Sequence, residues 1–144
     1  MSKKANSFLV FEKYWVDHVN YKHNERFNNQ GQEIELNIKF KVSHHFMNEK
    51  QDKVHVHIYC ELFSDIFSET SNPFHLNLNV VGEFSVSHEA GLPEELVLNT
   101  MRSNTVAILF PYVRSTITTI TATANIPPVI IHPINTNKLL EIEE

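Results

Sequence analysis

Residues 104–133 constrain the fold of this chain more than any other segment. They contain no acidic residue, and Arg114 is their only formal charge. Their apolar residues recur at alternating steps of four and three, which is the spacing of one helix face. The residues on that face are Val106, Phe110, Val113, Ile117, Ile120 and Ala124. The spacing predicts a helix over about residues 96–124, roughly 40 Å long at 1.5 Å per residue.

Two features of this segment act against a regular helix. Pro111 removes one backbone donor and disfavours the helical conformation at Phe110, so a kink or a restart is expected there. The second half is rich in threonine, which is a poor helix former and would also suit a strand. The spacing of the apolar residues favours the helix. Asn125 and Pro127 are expected to end it.

The upstream part of the chain predicts strands. Residues 34–44, 53–63 and 74–87 alternate between apolar and polar side chains, as strands with one face on a core do. Residues 8–19 form a further candidate that is apolar on both faces, which predicts burial on both sides or contact with another subunit. Four consecutive strands with short connections predict an antiparallel meander. A short final helix is expected at residues 136–142.

These elements predict one α+β domain that spans residues 1–144, because strands come first and helices follow. The net charge of −5 argues against nucleic-acid binding. No apolar run is long enough to span a membrane, and the two N-terminal lysines precede no apolar core, so we expect no signal peptide. Cys60 is the only cysteine, which predicts a cytoplasmic protein without an intrachain disulfide. The 3 glycines form no phosphate-binding loop, and no cofactor is predicted.

The chain contains nine histidines, some of which are candidate metal ligands. If the second and third strands pair through their apolar faces, with His44 opposite Val56, then His45 lies opposite His55 and His57 lies diagonally. Three imidazoles on one face would suit Zn or Ni. A solvated polar sheet face explains the same residues, and we favour it because ligands spread across a hairpin are a weak signal.

No catalytic arrangement is evident, so an enzyme is not predicted. Cys60 falls on the apolar face of its strand and is expected to be an inert core thiol. Arg114 is expected to form a structural ion pair or to reach solvent. The acidic residues occur at exposed ends of elements, where they suit helix dipoles and solubility better than acid–base chemistry.

The first strand and the long helix carry more apolar surface than one small domain can cover. Exposed apolar patches of several hundred Å² usually mark interaction surfaces. Apolar contact contributes roughly 25 cal/mol per Å² buried without demanding a particular sequence. The pattern therefore predicts self-association together with a surface that can hold many different extended polypeptides.

The segment ILFPYVRSTIT, the proline pair Pro127–Pro128 and the Pro-Ile-Asn sequence at residues 133–135 resemble the C-terminal half of the SecB family of export chaperones. Residues 8–17 and 74–84 resemble the first and fourth strands of the family, with Gly82 in place. The resemblance implies a cytoplasmic, ATP-independent holdase without enzymatic activity or cofactor. It also implies a homotetramer, built as a dimer of dimers with the long helices between the sheets.

The resemblance implies a role for three sets of residues. The client-binding groove would be lined by Phe27, Ile38, Phe40, Leu139, Leu140 and Ile142. The oligomer interface would comprise Val106, Phe110, Tyr112, Val113, Ile117 and Ile120. The candidate contacts with the SecA motor are Asp17 and Glu69.

Two departures from the family pattern leave several interpretations of function. Thr136 replaces the phenylalanine that begins the last helix of the family, and the acidic motor contacts are matched only in part. The chain could be an export chaperone for preproteins. It could instead serve one dedicated client, such as an antitoxin, or be a SecB-fold interaction or ligand-binding protein without holdase activity.

Overall fold

The computed structural model describes residues 8–27, 36–63, 72–88, 91–126, 130–131 and 135–140. The regular elements are β1 (Leu9–His23), β2 (Ile38–Phe46), β3 (Lys53–Leu62), β4 (Phe74–Val86), α1 (Glu94–Thr123) and α2 (Asn137–Leu140). The four strands form one antiparallel sheet, and the long and short helices follow them. The predicted α+β fold is confirmed. The start predicted for the second strand and the end predicted for the last helix lie partly outside the described residues.

The order of the strands in the sheet is β1-β4-β3-β2. Strands β2, β3 and β4 are successive neighbours, as in a meander, but β1 pairs with β4 instead of β2. This is a Greek-key order, and the predicted simple meander is wrong in this one connection. The two edges of the sheet are therefore β1 and β2, which lie on opposite sides.

Strand β1 is interrupted by two register shifts, one between Phe11 and Lys13 and one between Val16 and His18. Each shift inserts one residue and so moves the following side chains to the opposite face. The side chains that oppose core residues of β4 are Leu9, Phe11, Tyr14, Val16, Val19 and Tyr21. The prediction of two apolar faces for this strand is therefore wrong, because the bulges bring most of its apolar residues to one face.

Helix α1 is 30 residues long and continues through Pro111 without a restart. It begins with Glu94 and Glu95 in its first turn, where carboxylates stabilise the helix dipole. Beyond its end Asn125 takes a positive φ of 63°, a left-handed conformation that commonly terminates helices. Within the described ranges, no helix has both the length and the apolar character needed to cross a membrane.

The core lies between α1 and one face of the sheet. The alternating apolar residues of β3 and β4 are almost completely buried, and so are Val106, Val113 and Ile117 of the helix. Gly82 lies on the core face of β4, within contact distance of Leu109 on the helix. A Cβ atom at Gly82 would lie 3.0 Å from Leu109 Cδ1 and 2.9 Å from Phe84 Cε1, so glycine permits this approach.

Candidate functional site

Partly exposed apolar side chains gather at the edge of the sheet formed by β2. Helix α2 packs against both β2 and α1 at this edge. The β2-edge cluster consists of Ile38, Phe40, Phe110, Ile131, Leu139 and Leu140. The rings of Phe40 and Phe110 meet edge to face with centroids 5.4 Å apart. Phe110 and Leu139 are buried, whereas the other four keep part of their surface accessible. The cluster therefore presents apolar and aromatic surface to a ligand.

Arg114 borders the β2-edge cluster. Its Nη1 donates a hydrogen bond of 3.5 Å to the carbonyl oxygen of Ile131, and its guanidinium carbon lies 5.8 Å from the ring centroid of Phe110. Its buried Nε has no hydrogen-bond partner among the described residues. The expected structural ion pair is not among the contacts of the described residues, where Arg114 meets a carbonyl group and an aromatic ring instead.

The structure brings together four of the six residues expected to line a groove. Ile38 and Phe40 lie on β2, and Leu139 and Leu140 lie on α2 beside it. Phe27 is half-buried beyond the end of β1, which forms the opposite edge of the sheet. Ile142 lies outside the described residues.

A second apolar surface lies along β1 and was hidden in the sequence by the two bulges. Tyr14, Val16 and Val19 are 42%, 41% and 43% exposed although they point to the helix side of the sheet. The ring of Tyr112 lies 4.3 Å from that of Tyr14. The β1 strip consists of these four residues. Because β1 pairs on one side only within the described sheet, its other backbone edge can accept a further strand.

Four of the six residues expected at an oligomer interface are buried within the chain itself. Val106, Val113 and Ile117 are 0% exposed and Phe110 is 2% exposed. Their apolar stripe is covered by the sheet of the same chain, so a partner subunit would have to contact other residues. Tyr112 and Ile120 are half-buried and remain partly accessible.

His45 of β2 and His55 and His57 of β3 lie on the solvent face of the sheet in the predicted register, with His45 opposite His55. Nε2 of His55 lies 2.9 Å from Oε1 of Glu83, and Nδ1 of His57 lies 3.0 Å from Nδ2 of Asn79. The rings of His45 and His57 are perpendicular, with centroids 5.2 Å apart. In the part of the chain that the structure describes, no three His, Cys, Asp or Glu side chains are arranged to hold a metal ion.

The electrostatics of this face follow from the same contacts. Burial, followed by the neighbouring His45 and His55, lowers the pKa of His57, although Asp17 opposes this shift. The hydrogen bond from His55 lowers the pKa of Glu83. A cleft of about 530 Å³ on this face is lined in part by Asp17 and His57. Asp17 is exposed, and Glu69, the other candidate motor contact, lies outside the described residues.

A polar contact inside the core joins β2 to α1. Nε2 of His44 lies 2.9 Å from Oγ1 of Thr105, and Thr105 is fully buried. The Thr105 hydroxyl also donates to the carbonyl oxygen of Arg102, at 3.3 Å. The alternation along β2 was the signal for this contact, since it places His44 on the same face as Val42. The bond fixes the position of the helix beside the strand that carries Phe40.

Two comparisons with known proteins define the architecture and the family. The Mycobacterium tuberculosis SecB-like chaperone Rv1957, in complex with a ChAD peptide from the Rv1956 HigA1 antitoxin, has a similar structure with a TM-score of 0.71. The match covers 92% of this chain and 94% of that chain at 15% sequence identity, so it shows a common SecB-like fold. Residues 3–143 match the family model described as preprotein translocase subunit SecB. The chain therefore belongs to the SecB family, as its sequence resemblance predicted.

A relative from Methanocaldococcus jannaschii matches most of this chain. This uncharacterized protein is 36% identical over 137 residues, which cover 94% of this chain and 85% of the relative.

Proposed function

We propose that this protein is an ATP-independent chaperone of the holdase type, which binds apolar segments of unfolded polypeptides at the β2-edge cluster. The observation that carries the proposal is the partly exposed apolar and aromatic surface between β2 and α2. Membership of a family of SecB-like chaperones supports it. Such a protein acts by reversible binding, and no catalytic group is required of it.

The chemistry of the cluster suits clients of many sequences. A fully buried leucine or phenylalanine side chain contributes roughly 1.5–3 kcal/mol regardless of its neighbours in the client. Three such side chains would contribute on the order of 5–9 kcal/mol before the cost of ordering the client is subtracted. The backbone edge of β2 that pairs with no strand of the described sheet can add hydrogen bonds to an extended segment. The net result is weak, reversible binding with little sequence preference.

The proposal includes a homotetramer assembled as a dimer of dimers. The β1 strip supports self-association, because it exposes large apolar residues beside an open strand edge. In this proposal the β1 strip takes the place of most of the helix residues that were expected at the interface, because those residues lie in the core of the subunit. Assembly would also place several β2-edge clusters on one particle, so that one long client could bind to more than one of them.

Two kinds of client remain candidates within this function. Preproteins delivered to SecA would require a motor contact, for which Asp17 is the described candidate. A single dedicated client is the second candidate, and it is favoured by the antitoxin peptide bound to the structurally similar Mycobacterium tuberculosis chaperone. Cys60 is buried and unpaired, which suits the reducing cytoplasm in which either client would be met.

The proposal is tested by light scattering during aggregation of several unrelated unfolded proteins, without ATP and with a stoichiometric amount of this protein. We expect aggregation to slow, and we expect Phe40→Asp to weaken the effect because it places a charge in the apolar cluster. The matched control is Ser43→Asp, which adds the same charge to the solvent face of the same strand. No suppression of any client would contradict holdase activity. Suppression limited to one client would favour the dedicated chaperone.

A further inference from the structure

Side chains of β2 contact α1 at successive positions along the strand. His44 and Phe40 lie on the core face of β2, on either side of the buried Val42. Nε2 of His44 lies 2.9 Å from Oγ1 of Thr105 on the helix. The rings of Phe40 and Phe110 meet edge to face, with centroids 5.4 Å apart. A directional polar contact between the two elements thus accompanies the aromatic contact of the β2-edge cluster.

The hydrogen bonding of Thr105 determines the direction of this polar contact. The hydroxyl donates its one proton to the carbonyl oxygen of Arg102, at 3.3 Å, as threonine commonly does within a helix. Oγ1 of Thr105 therefore accepts the bond, and Nε2 of His44 carries a proton and donates it. Thr105 is 0% exposed, so removal of its hydroxyl would leave the His44 donor unsatisfied at the edge of the core.

This bond restricts the spacing between β2 and α1. Helix α1 packs mainly against β4 and β3, whereas β2 is an edge strand that pairs with β3. Apolar contact is non-directional and tolerates small displacements, but a hydrogen bond weakens steeply when its distance or its angle changes. The His44–Thr105 pair therefore holds the helix at a defined position beside the strand that carries Phe40.

We infer that His44 and Thr105 are positioning residues for client binding, because their hydrogen bond sets the opening between β2 and α1 in which the β2-edge cluster lies. The inference rests on the proposed function, since it names the residues that hold this cluster ready for a client. Neither residue has to touch the client. A site that is held in its binding arrangement loses less conformational freedom when a ligand binds. Without the bond, β2 occupies other positions as well, and the apparent affinity falls with the fraction of competent molecules.

The test uses the full chain and a short, fluorescently labelled peptide rich in leucine and phenylalanine. Fluorescence anisotropy gives the Kd of the peptide, and urea denaturation gives the free energy of unfolding. Thr105→Val has nearly the same shape as the wild type but lacks the acceptor. We expect it to raise the Kd about fivefold, the ratio for the roughly 1 kcal/mol that one neutral hydrogen bond contributes. Thr105→Ser keeps the hydroxyl and should keep the wild-type Kd.

Two further variants separate positioning from stability. Val97→Ala is the matched control, because it weakens the core at a buried position of α1 that lies about 20 Å along the helix from Phe110 at 1.5 Å per residue. It should lower the free energy of unfolding and leave the Kd unchanged. The double variant His44→Leu with Thr105→Val replaces both polar partners by apolar side chains, which can be nearly neutral for stability. Its free energy of unfolding should return towards that of the wild type, whereas its Kd should stay raised about fivefold because the directional bond is still absent.

The outcomes separate this inference from the proposed function. An unchanged Kd in Thr105→Val would overturn the positioning role, although peptide binding by the wild type would still support the chaperone. An equal rise of the Kd in Val97→Ala, or a wild-type Kd in the double variant, would also overturn it, since loss of stability would then explain the effect. If the peptide did not bind to the wild-type protein, the proposed function would fail together with the inference.

Discussion

Substitution of Gly82 by alanine tests how closely α1 is packed against the sheet that positions both apolar surfaces. The added Cβ would lie 2.9 Å from Phe84 Cε1 and 3.0 Å from Leu109 Cδ1, which is well inside the usual contact distance of carbon atoms. Phe84 and Leu109 are both fully buried, so neither side chain can rotate into solvent to make room. Overpacking of a core by one methyl group typically costs about 1–3 kcal/mol, and we expect Gly82→Ala to lower the free energy of unfolding by that amount.

A double-mutant cycle isolates the steric cause of this effect. Leu109→Ala alone should cost about 2–5 kcal/mol through the cavity that it leaves. In the double variant the new methyl group occupies part of that cavity, so the combined cost should be at least 1 kcal/mol smaller than the sum of the two single costs. Urea denaturation at one fixed protein concentration measures all four proteins, because the proposed assembly would make stability depend on concentration. Additive costs would refute the close approach of helix and sheet at Gly82.

Three further predictions follow from the surfaces and charges of the molecule. Val16→Asp places a charge in the exposed β1 strip and should dissociate the proposed oligomer while each subunit stays folded. Light scattering and circular dichroism measure the two effects, and an oligomer that stays intact in the variant would exclude this strip as the interface. Ile117→Asp buries a charge in the core of the subunit and should lower the free energy of unfolding by several kcal/mol. A variant that stays folded and only dissociates would contradict the observed helix packing. The lowered pKa of His57 means that its imidazole binds a proton more readily in the unfolded chain than in the folded chain. The contribution of His57 to stability is therefore complete above about pH 6.5 and is lost as pH falls through and below that value. Denaturation of wild type and His57→Gln across pH 5–8 should show a smaller loss in the variant, and parallel curves would count against this assignment.

Much of the fold could be predicted because β2, β3 and β4 alternate strictly between apolar and polar residues. A period of two leaves only one way to turn the apolar face inward. It restricts the register of β2 and β3 to one parity, and the assumed pairing of His44 with Val56, which is confirmed, then sets His45 opposite His55. The spacing of Val106, Phe110 and Val113 likewise identified the buried face of α1. The sequence could not say which surface would cover that face. We therefore interpreted it as a contact between subunits, whereas in the structure it packs on the sheet of its own chain.

The candidate site was predictable in part. Ile38, Phe40, Leu139 and Leu140 were expected through the resemblance to the SecB family, and the structure adds Phe110 and Arg114 from the helix. Arg114 was noted in the sequence as an isolated charge, but its contacts with Phe110 and Ile131 became visible only in the tertiary structure. The sequence predicted that the first strand contacts another subunit, but it did not predict the full β1 strip, because an unbroken alternation sends Tyr14 and Val19 to opposite faces.

The sequence alone determined the period of each strand and helix, and therefore which residues share a face within each uninterrupted element. Those properties depend on residues a few positions apart, so local chemistry is sufficient to set them. Tertiary structure decided where β1 bulges, which strand it joins and which of its apolar residues stay uncovered. A bulge exists only relative to the paired strand, and coverage depends on where a distant helix lies, so these features arise from contacts between segments far apart in the chain.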